Sequence, residues 1–294
     1  MSKRFSRSHQ VAALLVAALA ITLLPALPAS AASRPSGSGT TVGTYLALGD
    51  SVAFGYVPPN ATPPPDYLRA STFIGYPEDA GRALRYSVVN PSCPGETTVS
   101  MIAAGGISNG CENTLGVPGG YRTFFPLHVK YSGTQLQFAV HYLTAHPSTS
   151  LVSIDIGAND AFVCQETTTD GCTSEFPALL AQIKTNLRTI YAAIRDQAGY
   201  KGPLVALTYY STTYSVPLMV AEVKVLDAAI ASVTKQYGGL IANGFVAFER
   251  ASKPFGGDPC AAGLLIPVPG GCNIHPSPAG ALLLAAAVAQ AIGR

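Results

Sequence analysis

Hydrophobic and polar positions along this chain alternate between two rhythms. Short, nearly continuous apolar runs occupy residues 44–48, 86–90, 150–156, 203–208 and 244–248. Runs of that length, without a polar residue at every second place, predict strands buried on both faces. Between them the period changes. Phe176, Leu180, Ile183, Leu187, Ile190 and Ile194 recur at steps of four and three, as do Met219, Val223, Leu226, Ile230 and Val233. Each set forms one apolar face of a helix and is assigned to the core. A shorter helix is expected over 135–144, and Ser277-Pro278 supplies a cap and a first-turn proline for a last, Ala- and Leu-rich helix. Strands alternating with helices predict right-handed crossovers and a parallel sheet covered on both faces, the α/β class. For five strands the common doubly wound order is 2-1-3-4-5. That order puts the ligand site beyond the carboxyl ends of strands 1 and 3.

The amino-terminal pattern is different in kind. Lys3, Arg4 and Arg7 precede an apolar run over 11–27, and Ala29-Ser30-Ala31 follows it. Basic, apolar and small-residue regions in that order predict a secretory signal peptide over 1–31. Pro25, Pro28 and the Ala-x-Ala site argue against a membrane anchor. Residues 32–43, rich in Ser, Gly and Pro, are expected to be a flexible leader, and 44–294 a single domain. Without 1–31 the chain keeps 15 basic and 16 acidic side chains, a formal charge of −1. The basic excess therefore belongs to the signal, and nothing points to nucleic acid or to an anionic membrane. Six cysteines in an exported chain predict three disulfides. They fall as local pairs, which favours Cys93–Cys111, Cys164–Cys172 and Cys260–Cys272 over a metal site, since no C-x-x-C is present.

Candidate chemistry gathers at the predicted strand ends. Tyr45–Leu48 is broken by Gly49-Asp50-Ser51, which exposes a Ser hydroxyl just past strand 1. The structural alternative is that Ser51 caps the following helix. Past strand 2 comes Cys93-Pro94-Gly95-Glu96-Thr97-Thr98, and past strand 3 Gly157-Ala158-Asn159-Asp160. A backbone N–H at an open Gly and an Asn amide are the donors an acyl-transfer transition state requires. Ser also requires a base. His128, His141 and His146 lie between strands 2 and 3, the latter two reading as surface or packing residues. His275 sits on a long loop just before the last helix, and long loops of this kind usually have a task.

The set Gly49-Asp50-Ser51, Gly95, Gly157-x-Asn159-Asp160 and His275-Pro276 resembles the SGNH hydrolases, the GDSL lipases and esterases, in their secreted bacterial form. The resemblance runs from Tyr45 to the C-terminus. It implies a flavodoxin-like, three-layer α/β/α sandwich and hydrolysis of carboxylic esters through an acyl-enzyme on Ser51, with His275 as general base. It also implies an oxyanion hole made by Ser51, Gly95 and Asn159, with no cofactor and no metal. The Gly-x-Ser-x-Gly elbow of another hydrolase class is absent, because Ala53 stands where its second Gly would be.

One departure stands out. The family usually carries Asp three residues before its His, and here that place is Cys272. A backbone carbonyl is the preferred substitute as orienter of the imidazole, with Asp258 as the rival. Asp160 is read as structural, bonded within its own turn. The stretch 56–72 holds Pro58, Pro59, Pro63, Pro64 and Pro65 and is expected to be extended. Residues 104–132 are Gly-rich. Their Tyr121, Phe124 and Phe125, with Phe54 and Phe162, either line an acyl groove or pin these loops to the core. The expected product of this sequence is a secreted, monomeric esterase or lipase for small-molecule or lipid esters, without a stable membrane anchor. Two alternatives remain at this point: a non-catalytic binding protein on the same fold, and a metal-dependent phosphoesterase using Asp50, Asp160 and His275.

Overall fold

Five strands make one parallel sheet: β1 (Gly43–Gly49), β2 (Tyr86–Val89), β3 (Leu151–Asp155), β4 (Leu204–Leu207) and β5 (Leu240–Ala242). In this computed structural model, which describes residues 41–294, their spatial order is β2-β1-β3-β4-β5. The expected signal peptide and nearly all of the expected leader lie outside the described residues. Tyr45 to Leu48, every residue of β3 and every residue of β4 are buried, as central strands covered on both faces must be. Helices Tyr76–Leu84, Gly244–Ser252 and Pro278–Ala291 pack together on one face of the sheet. Thr98–Ile102, Gln135–Ala145, Phe176–Ala192 and Pro217–Gln236 cover the other. The sandwich is three layers deep, and the α/β expectation holds.

The local signals acted as the chemistry requires. Ser277 caps the last helix by accepting from Gly280 N, with Pro278 at its first position. The Phe176 stripe buries Ile183, Leu187 and Ile190. The second stripe divides. Leu226, Ile230 and Val233 are core; Met219 is exposed, Val223 packs at the edge of the core, and both, with Leu226, line a cavity.

Strand 5 is a correction. Residues 244–248 open a helix, and the edge strand is the three residues Leu240–Ala242, just before it. Asn243 accepts from Val246 N at 2.8 Å and caps that helix. Phe245 and Phe248, three apart, are both buried on its inner side. A short apolar run is compatible with either period, and the cap decided it.

The long loops are pinned by aromatics. Phe54, Phe73 and Tyr121 form a second buried cluster, with Tyr56, Tyr67 and Phe125 packed around it. The Phe54 and His128 ring centroids lie 4.6 Å apart with the planes tilted by 43°, and His128 Nε2 meets Phe54 O at 3.0 Å. Phe124 is exposed. The stretch 56–72 contains one 3-10 turn, Ala70–Thr72, and no α-helix. The cysteines pair in sequence as Cys93–Cys111, Cys164–Cys172 and Cys260–Cys272. Among the described residues no helix is long and apolar enough to cross a membrane.

Candidate active site

Ser51 opens a single helical turn, Ser51–Phe54, at the end of β1. The capping role belongs to its neighbour: Asp50 Oδ1 accepts from Val52 N at 2.9 Å. Ser51 is thereby free of it, and its Oγ lies 2.8 Å from His275 Nε2. Gly49 makes this junction possible. Its φ of +146° is open to glycine, and a Cβ there would stand 2.4 Å from Asp155 O on β3.

His275 lies on the second arm of an antiparallel hairpin, Leu265–Val268 with Gly271–Pro276, where a long loop was expected. Near its turn the second arm is tied by Cys260–Cys272 to the segment that precedes the hairpin. Tyr210 OH donates to Ile274 O at 2.7 Å, and the Tyr56 ring lies 4.9 Å from the imidazole. Burial in this wall disfavours the imidazolium and holds the His275 pKa down, from 6.5 to about 4. The resting ring is therefore neutral, with one nitrogen able to accept a proton.

The ring's other nitrogen finds neither of the expected partners. His275 Nδ1 meets Asn273 Oδ1 at 2.5 Å, and the same oxygen accepts from His275 N at 3.2 Å. A side-chain amide carbonyl thus replaces the expected backbone carbonyl. Asp258 is exposed and occupied elsewhere, its Oδ1 accepting from Cys260 N and Ala261 N at the turn it caps. Asn273 was not singled out by sequence reasoning. Its one local signal is that Asn readily accepts from the backbone N–H two residues on.

Asn159 is buried one residue into the helix Ala158–Thr167. Its Nδ2 donates to Asp50 Oδ2 at 3.2 Å, and its Oδ1 accepts from Asn109 Nδ2 at 3.0 Å. Tyr209 OH donates to the same Asp50 oxygen at 2.7 Å. Asp50 and Asp155 are both buried, and desolvation raises both carboxyl pKa values, that of Asp155 further because Asp50 is beside it. Asp160, read as structural, also bonds beyond its own turn, to the loop after β2, accepting from Thr98 N at 2.9 Å and Thr98 Oγ1 at 2.5 Å.

Gly95 has φ +81°, and a Cβ there would fall 2.2 Å from Asn109 O. Only glycine lets the two loop segments approach so closely. The Cys93–Cys111 bridge and the Asn109 N to Gly95 O bond, 2.8 Å, hold them together. Ser51, Gly95, Asn159 and His275 all line one cavity of about 780 Å³. Away from them its wall is mostly apolar, with Phe162, Phe176, Met219, Val223 and Leu226, interrupted by Gln165, Thr173 and Glu222. Of the aromatics proposed for a groove, Tyr121 and Phe162 reach this cavity. Asp50 and Asp160 are directed to protein hydrogen-bond donors and do not converge with His275. Among the described residues the one grouping with metal-ligand proximity is Cys93, Glu96 and Cys111, whose sulfurs are joined to each other.

Comparison with known proteins bears on the fold and the family. The fold is one that solved esterases and lipases share. An acetylxylan esterase from Geobacillus stearothermophilus superposes with TM-score 0.53 at 18% identity, over 86% of this chain and 95% of its own. The lipase Lip_vut3 from a goat rumen metagenome gives 0.56 at 14%, over 84% and 96%. A search of curated protein sequences found no match. The sequence pattern of the GDSL-like lipase/acylhydrolase family matches residues 47–283. The chain belongs to that family, and it is a carboxylic ester hydrolase.

Proposed function

We propose that this is an exported serine esterase in which Ser51 is the nucleophile, His275 the general base and Asn273 the residue that orients it. The observation that carries the proposal is the alignment Asn273 Oδ1, His275 Nδ1, His275 Nε2, Ser51 Oγ, with contacts of 2.5 and 2.8 Å. Nδ1–H donates to Asn273, which leaves the Nε2 lone pair toward the Ser51 hydroxyl. Ser51 Oγ attacks the ester carbonyl carbon while His275 takes its proton. The developing oxyanion is received by Ser51 N–H, Gly95 N–H and Asn159 Nδ2. His275 then protonates the departing alcohol, and water, deprotonated by the same imidazole, releases the acid from Ser51. Neither step requires a metal or cofactor.

The acyl part of the ester occupies the apolar end of the 780 Å³ cavity, so the substrates are small-molecule or lipid esters. The acting unit is a single, monomeric domain over 44–294. Three disulfides and the pattern of residues 1–31 support export into an oxidising compartment.

The test is a p-nitrophenyl ester series of increasing chain length, run with and without chelator on the wild type and Ser51→Ala. Turnover unaffected by chelator and abolished in Ser51→Ala is expected, with an organophosphate adding covalently at Ser51. Labelling at another Ser, or activity surviving in the variant, overturns the assignment. Dependence on added metal would favour the phosphoesterase alternative, and no turnover of any ester the binding protein.

A further inference from the structure

Asn109 touches both arms of the anion-binding arrangement and belongs to neither. Its backbone N–H donates to Gly95 O at 2.8 Å, and its carbonyl lies where a Cβ on Gly95 would go. Its side-chain Nδ2 donates to Asn159 Oδ1 at 3.0 Å, fifty residues further along the chain. An amide can sit in two orientations related by a half-turn, and the neighbours choose between them. With Nδ2 toward Asp50 Oδ2 and Oδ1 toward Asn109 Nδ2, both contacts pair a donor with an acceptor. After a half-turn, oxygen would face the Asp50 carboxyl and NH2 would face NH2. Asp50 anchors one end of the amide, and Asn109 anchors the other.

We propose that Asn109 is a positioning residue of the oxyanion hole, fixing the Asn159 amide so that its remaining N–H points at the reacting oxygen. The proposal rests on the reading of Asn159 as an oxyanion donor. Asn109 lines the cavity beside Asn159 and Gly95, and Cys111, two residues on, is bridged to Cys93, two residues before Gly95. The bridge therefore sets the height of the loop at which Asn109 reaches Asn159. A residue acting in this way affects the transition state and leaves ground-state binding largely alone, because a neutral ester carbonyl makes far less use of the donor.

The experiment is a double-mutant cycle with Asn109→Ala, Asn159→Ala and their combination, plus Asn109→Asp, measuring kcat and KM separately with melting temperature alongside. Asn109→Ala keeps the backbone bond to Gly95 and loses only the side-chain donor. Its kcat is expected to fall about 10-fold, the size of one hydrogen bond, with KM nearly unchanged. Asn109→Asp keeps the volume but turns an oxygen toward Asn159 Oδ1, driving the half-turn. Its kcat is expected to fall about 10²-fold, near the loss of a whole donor. On the Asn159→Ala background Asn109→Ala should cost almost nothing further. If Asn159→Ala loses about 10²–10³ while Asn109→Ala loses nothing, the positioning role is wrong and the oxyanion reading stands. The positioning role is equally wrong if Asn109→Ala costs the same factor in both backgrounds, or if Asp is tolerated better than Ala. If Asn159→Ala itself leaves kcat intact, the oxyanion reading fails first and takes this proposal with it.

Discussion

Replacing Asn273 tests the proposed orienter of His275, a neutral amide where the family resemblance implies a carboxylate. In the resting enzyme the contact is one hydrogen bond from a neutral imidazole, worth roughly 0.5–1.5 kcal/mol net. In the transition state the imidazole carries charge, and a bond from a charged donor is worth about 1.5–3 kcal/mol. The difference, about 1–2 kcal/mol, is what Asn273→Ala should remove from transition-state stabilisation, a loss of roughly 5- to 30-fold in kcat. That is far less than the ~10⁴ that follows when an orienter imposes the wrong tautomer.

Asn273→Asp makes the sharper test, because it moves an observable in a known direction. A carboxylate within hydrogen-bond reach favours the imidazolium and raises its pKa by about 1–3 units. His275 is held low, at about 4, by burial alone in the wild type. The base works only when neutral, so activity is lost as pH falls through its pKa. The acid limb of kcat/KM should therefore lie well below pH 6.5 in the wild type and move upward in Asn273→Asp. The assay is kcat/KM against pH for a soluble p-nitrophenyl ester, with Asp258→Asn as a control that caps a turn and should shift nothing. An unmoved acid limb in Asn273→Asp, or wild-type activity in Asn273→Ala, would show that Asn273 does not face the working imidazole. A loss near 10⁴ in Asp258→Asn would hand the role to Asp258.

Cys260→Ser/Cys272→Ser should lose kcat/KM out of proportion to its fall in melting temperature. Its bridge ties the start of the His275 arm, one residue from Asn273, to the segment before the hairpin, and a base displaced by about 1 Å costs on the order of 10²-fold. Cys164→Ser/Cys172→Ser, measured alongside, should lose stability with little activity; equal losses in the two pairs would make both bridges structural only. Glu96, buried with Ser100 Oγ and Gln135 Nε2 on its carboxyl oxygens, is pushed by desolvation from 4.5 to about 7. The folded state thus holds the Glu96 proton more tightly than the unfolded chain. Its stabilising contribution is complete below about pH 4.5 and is lost as pH rises to about 7, roughly 3 kcal/mol in all. Glu96→Gln should therefore gain stability relative to wild type between about pH 5 and 7 and gain no more above that, in melting curves taken across the range. A difference independent of pH would mean that Glu96 is ionised in the fold throughout.

What was legible in the chain, and what was not, divides along sequence distance. Four of the strands were readable because β1 to β4 are mostly apolar runs closed by turn residues, and in β1, β3 and β4 burial on both faces removes the alternation a half-exposed strand would show. β5 is three residues at an edge, too short to show a period, and the helix after it was mistaken for it. Ser51, Gly95 and Asn159 were nameable because each stands beside Gly, Pro or Asp in the segments that follow β1, β2 and β3, and His275 because it precedes Pro276 and the cap of the last helix. The residues that hold them were not. Asp160 reaches Thr98 across 62 positions, Asn109 reaches Asn159 across 50, and Tyr209 reaches Asp50 across 159. No local period or turn chemistry encodes such a bond, since its donor and acceptor meet only after the sheet order is set. Asn273 is the exception: it lies two residues from His275, and its own Asx geometry brings the amide oxygen back over the backbone N–H and the ring. A carboxylate at the usual place three residues before the His would have had to share that place with Cys272, whose side chain points instead to Cys260. With the bridge occupying one position, the nearest side chain able to accept from Nδ1 is the next residue along.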